Sequence, residues 1–151
     1  MAPQHRRVLL DDRLLIEELL AGLGAVRPST ALATSSYWYH RACRVAAANG
    51  GGWLSGPFDG LPKHQQEHAI HQLLRLRDDI ALPDPRATVP LMAELAARRP
   101  RLNVLNLEVA AAAISLDATV WLSDRGAAGV LPVVLADERI PWRRVPVPPV
   151  R

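Results

Sequence analysis

Hydrophobic and polar positions divide the chain into short apolar runs and longer amphipathic stretches. Residues 8–10 (Val-Leu-Leu) form an apolar run of buried-strand type. Behind it Leu14, Leu15, Leu19, Leu20 and Leu23 recur at helical spacing, with Gly22 and Gly24 as a stop. "ALAT" (31–34) predicts a second strand. "SSYWYHRACRVAAAN" predicts a helix capped by Ser35 or Ser36, with Tyr39, Cys43 and Ala46 on one face, ending at Asn49 and a glycine run. Residues 53–62 read as loop, 63–76 as a helix with Ala69, Ile70, Leu73, Leu74 and Leu76 apolar, and 80–85 as a strand closed by prolines. A helix over 86–99 stops at Pro100, and the alanine-rich stretch 103–116 is the most helix-prone of all. A strand over 118–123, a helix over 127–138 despite Pro132, and an edge strand in "IPWRRVPV" complete the order. Strands alternating with helices predict an α/β domain built on a parallel sheet.

Length adds a bound: 151 residues make one domain, expected over 6–145, with a loose tail at 1–5 and a proline-rich tail at 146–151. The lone Cys43 excludes an internal disulfide and a cysteine zinc knuckle. No stretch is long and apolar enough to span a bilayer, and the N-terminus lacks the apolar run of a signal peptide, so a cytoplasmic protein without a membrane role is expected. The formal charge is +3 and the pI about 9.7. Lys63 is the only lysine, so the positive charge is almost entirely arginine, which favours planar contact with phosphate or carboxylate. A coding preference for Arg is the plainer explanation. Arg6-Arg7, Arg98-Arg99-Arg101 and Arg143-Arg144 nonetheless cluster enough to offer a basic face.

Candidate chemistry sits at strand ends. Asp11 and Asp12 follow the first apolar run and Asp124 follows "TVWLS". In an open parallel sheet ligands bind outside the carboxyl ends of the strands. Acids from two neighbouring strands would meet there and hold Mg²⁺ or Mn²⁺ through few carboxylates, with water and substrate phosphate completing the shell. The plainer alternatives are helix capping for Asp11 and Asp12 and a turn in "SDRG" for Asp124. His64, His68 and His71 share one helical face beside Glu67, but they lack an HExxH pattern and read as the polar side of a helix. "YWYHRACR" offers aromatics and arginines that could stack bases, although Trp38 reads as core. Cys43 lacks the partners of a nucleophile, and "GGGW" lacks the ending of a phosphate loop.

"VLLDDRLL" and "LNLEVAAAAISLDATVWLSD" together resemble the PIN-domain ribonucleases, a family that includes many bacterial toxin nucleases. In that family an apolar strand ends in an Asp, matched at Asp11. A further acid opens an alanine-rich helix, a slot held here by the neutral Asn106, and another ends the next strand, matched at Asp124. Glu108 is the substitute candidate for Asn106, although two positions along a helix is a different face. Arg13 stands where the family has a small polar residue, and no carboxylate lies early in the second helix. The resemblance implies a mostly parallel sheet with helices on both faces and metal-dependent hydrolysis of RNA. It gives Asp11, Asp124, Asn106 and Glu108 as catalytic candidates and Asp11, Asp12, Asp124 and Glu108 as ligands for Mg²⁺ or Mn²⁺. Arg13 and Arg125 are the substrate-contact candidates. Partners so implied are RNA and a protein, antitoxin-like or a second copy. The alternative is a catalytically silent PIN-like module that binds RNA or a protein partner.

Overall fold

The computed structural model describes residues 7–47 and 61–147. The glycine-rich joint after Asn49, most of the loop expected over 53–62, and the tails at 1–5 and 148–151 lie outside the described residues.

A strand covered on both faces must be apolar throughout, and β1 (Arg7–Leu10) meets that condition from Val8 onward. It lies at the centre of a five-stranded sheet of order β3-β2-β1-β4-β5, with β2 (Leu32–Thr34), β3 (Ile80–Ala81), β4 (Ala118–Leu122) and β5 (Trp142–Arg144). Every pairing is parallel, so the sheet goes further than the mostly parallel one expected. Leu9 is in register with Ala33 on one side and Val120 on the other.

Side chains alternate across the sheet and so feed two cores. Val8, Leu10 and Trp121 pack with α1 (Asp12–Ala21), α2 (Ser36–Ala47) and α3 (Lys63–Leu74) through Leu14, Leu15, Ala42, Ala46, Ala69 and Leu73. Leu9, Ala33, Val120 and Leu122 pack with α4 (Pro85–Arg98), α5 (Val104–Leu116) and α7 (Leu131–Asp137). Helices therefore cover both faces, as expected. Helix α5 is buried from Asn106 to Ala113: Val109 to Ala113 lie between α4 and the sheet, and alanine lets them approach closely.

Local differences from the sequence reading have physical causes. The buried stripe of α2 is Trp38, Ala42 and Ala46, while Tyr39 and Cys43 are half-buried beside it. Trp38 thus joins the core, as expected. The helix expected over 127–138 is two: α6 (Asp124–Ala127) and α7 (Leu131–Asp137). Pro132 lies in the first turn of α7, where its missing N–H would have had no helical partner. At the far edge Val145 donates its N–H to Leu122 O at 2.8 Å and is buried, so the closing segment seals a core rather than hanging free.

Candidate functional site

Strand order reverses direction between β1 and β4, since β2 follows β1 on one side and β5 follows β4 on the other. This is the switch point at which an open α/β sheet leaves a crevice beyond its strand ends. Asp11 lies just there. Its backbone (φ −70°, ψ 174°) ends β1, and its Oδ1 accepts the Leu14 N–H at 2.9 Å, capping α1. Its Oδ2 accepts both the backbone N–H and the hydroxyl of Ser123, each at 2.7 Å. A Cβ on Gly126 would stand 2.6 Å from the same Oδ2, so glycine is what lets α6 close over this carboxylate. Burial pushes the Asp11 carboxyl above its ordinary range, against the hydrogen bonds from Ser123 and Leu14.

Asp12 opens α1 and is also buried. Its Oδ1 accepts the Arg13 N–H at 2.9 Å, and its Oδ2 faces Arg41 Nε at 3.1 Å. That pair has the distance of an ion pair without the alignment of a hydrogen bond, which leaves Oδ2 without a hydrogen-bond partner among the described residues. Burial and the neighbouring Asp11 charge push Asp12 up to about 6, and Arg41 opposes them only in part.

A cavity of about 320 Å³ opens in front of these two residues. Asn106 lines it from the first turn of α5, Trp38 and Arg41 from α2, and Arg125 and Gly126 from α6. The fold thus brings Asp11, Asp12, Asn106 and Arg125 together from the sequence-derived set. It does not bring in the others. Glu108 accepts the Ser36 and Tyr37 N–H groups at 3.1 and 2.8 Å, so both of its oxygens cap α2, which explains a buried glutamate in an alanine-rich helix. Asp124 is half-exposed and bonded to Arg144 Nε at 2.6 Å, and it does not line the cavity. Arg13 pairs with Glu17 one turn along α1, 2.9 Å away, and is likewise not a lining residue. His64, His68 and His71 are exposed along α3.

These residues do not fit a divalent cation as arranged. The Asp11 oxygens are taken by three protein donors, Asp12 Oδ1 by the Arg13 N–H with Arg41 charged beside Oδ2, and two guanidinium groups share the cavity with two carboxylates. Among the described residues no group of three or more His, Cys, Asp or Glu is placed to hold a metal ion. Sequence reasoning missed Ser123, Gly126 and the inward role of Arg41. The one available signal was "LSDRG", where a hydroxyl and a glycine flank Asp124 in a strand-to-helix turn.

No family model and no curated protein matches the chain. Among solved structures it is similar to VapBC-1 from nontypeable Haemophilus influenzae, determined at 2.2 Å. The TM-score is 0.54 and the identity 17%, over 91% of this chain and 97% of that one. The likeness defines the fold class: α/β, PIN-like, with a parallel sheet between helices. Among the described residues no helix is long and apolar enough to cross a membrane.

Proposed function

We propose that this chain is a PIN-like module that binds RNA in the crevice beyond β1 and β4 without hydrolysing it. The observation that carries this reading is the state of the acids. Asp11, Glu108 and Asp124 are bonded to the chain's own donors, Asp12 Oδ2 has only the Arg41 guanidinium beside it, and the neutral Asn106 faces the cavity where the family resemblance expects an acid. Such a set supplies little negative charge for Mg²⁺ or Mn²⁺. Arginines on the same walls favour an anionic chain instead. From the likeness to VapBC-1 we take the further expectation of a protein partner, antitoxin-like or a second copy of this chain.

One observation favours a second reading, a metal-dependent ribonuclease. Asp11, Asp12 and Asn106 do converge in one cavity, and Asp124 immediately precedes the lining residues Arg125 and Gly126. The two readings separate in one experiment. Fluorescence anisotropy with labelled single-stranded RNA at low salt, in EDTA, is expected to show binding that weakens as salt rises. The same RNA incubated with Mn²⁺ is expected to stay intact. Absence of binding at low salt overturns the RNA reading, and Mn²⁺-dependent cleavage that disappears in Asp11→Asn establishes the ribonuclease.

A further inference from the structure

We infer that Arg41 is the crevice's built-in cation: held beside Asp12, it keeps a divalent ion away from the acids at the β1–β4 switch point, and its removal turns those acids into a site that takes one. The inference rests on the reading of a module without a catalytic metal and names the residue responsible. It starts from Asp12 Oδ2. Asp12 is only 3% exposed, and among the described residues this oxygen has no hydrogen-bond partner. It forms an ion pair with Arg41 Nε at 3.1 Å. A buried carboxylate oxygen without a hydrogen bond needs a positive charge close by, and here a guanidinium supplies it.

Helix α2 delivers Arg41 and carries no carboxylate of its own. Its first turn is fixed from α5, where Glu108 accepts the Ser36 and Tyr37 N–H groups, and Ser35 Oγ accepts the Trp38 N–H at 3.1 Å. Trp38 is buried in the core on the α5 side of the sheet, and Tyr39 donates its hydroxyl to Leu73 O of α3 at 2.9 Å. These contacts fix the backbone from which Arg41 reaches Asp12. Glu108, a candidate metal ligand in the sequence, thus helps to seat the helix that carries the opposing charge.

The charges of the cavity balance without an ion. Asp11 and Asp12 line it together with Arg41 and Arg125, two carboxylates against two guanidiniums. A divalent cation entering at Asp12 would stand close to Arg41, where like charges repel, the more so beside a buried group. Removing the Arg41 charge reverses the balance. Asp12 Oδ2 is then left with neither ion pair nor hydrogen bond, while Asp11 stays engaged by Ser123 and Leu14. Asn106 lines the same cavity, and about 320 Å³ admits an ion with part of its water shell. A small divalent ion binds in that manner, through one or two carboxylates with water completing its coordination.

The test is a Mn²⁺ titration of the full chain without RNA, in which the electron paramagnetic resonance of free Mn²⁺ reports uptake. The wild type is expected to take up little. Arg41→Ala, its amide spectrum still dispersed, is expected to bind Mn²⁺ about ten-fold more tightly or better. Arg41→Lys keeps a positive charge and is expected to match the wild type. The double variant Arg41→Ala with Asp12→Asn is expected to fall back to it. Should Arg41→Ala not fold, Arg41→Gln carries the same expectation. Equal uptake by wild type and the folded neutral variant, at any level, overturns the inference. So does uptake by Arg41→Lys that equals that of Arg41→Ala, because space rather than charge would then govern, and so does uptake that survives Asp12→Asn. The module reading is judged separately, by RNA anisotropy in EDTA. RNA binding with no added Mn²⁺ uptake in Arg41→Ala leaves that reading standing and ends this one. Added uptake with no RNA binding by the wild type does the reverse.

Discussion

Two arginine–carboxylate groupings in this molecule obey the same law and end in opposite states. At the switch point Asp12 meets Arg41 in the interior and its carboxyl rises to about 6. On the far side of the sheet, Glu138 at the end of α7 works against some burial of its own. It accepts from Arg98 Nη2 at the end of α4 and from Nε of Arg99 just beyond it, each at 3.0 Å, and is held below its ordinary range. The difference lies in solvent and donor alignment. Glu138 has two hydrogen-bonded guanidiniums at the surface, whereas Asp12 has one poorly aligned guanidinium, a second carboxylate next door and little water. An arginine at the surface fastens two helices. The same residue type at a strand end inside a cavity leaves the Asp12 carboxylate only partly answered.

The comparison breaks first at Asp11, where the largest effect is expected. Asp11→Ala removes the cap of α1 and leaves the buried donors of Ser123 and Leu14 without an acceptor, a loss of about 3 kcal/mol. Urea unfolding checks it, and a loss within error of zero would mean that the Ser123 bonds do not hold β1 to β4.

A smaller and opposite effect is expected at Asp12. Its folded pKa lies above the unfolded value of 3.8, so the folded state binds the proton more tightly than the unfolded chain. The resulting stability is full below pH 3.8 and is lost as pH rises through about 6. Asp12→Asn cannot lose it, and is expected to gain about 1–3 kcal/mol over wild type at pH 8 relative to pH 4. Denaturation curves at the two pH values decide, and a gain that shrinks with rising pH would refute the assignment.

The smallest effect belongs to the surface pair. Glu138 has a lowered pKa, so its contribution is present above the ordinary glutamate range and fades as pH falls through the folded value. Glu138→Gln is expected to cost about 0.5–1 kcal/mol at neutral pH, less at high salt, because Arg98 is more than half exposed. A thermal shift unaffected by salt would point to packing instead of charge.

Much of the fold was legible because its elements are set locally. The apolar run before Asp11, the glycine after α1 and the alanine-rich run of α5 each fix an element by burial pattern or cap. Of the site, Asp11, Asp12, Asn106 and Arg125 were legible as residues that meet, since a parallel sheet puts its strand ends on one side. The partners were not. Glu108 looks like a ligand in sequence, yet it lies opposite the first turn of α2, whose free amides claim it across 72 residues of chain. Asp124 looks like the second strand's acid, yet Ser123 one residue earlier turns inward and takes the bond to Asp11, while β5 brings Arg144 alongside Asp124.

By itself the order of apolar and polar residues determined the layers: which segments are strands, which are helices, and that Asp11 and Asp12 stand at a strand end. Which of those acids keeps an open oxygen was decided only in three dimensions. Charge pairing depends on distances between atoms far apart in the chain and on how much water remains between them, and neither quantity is written in local pattern.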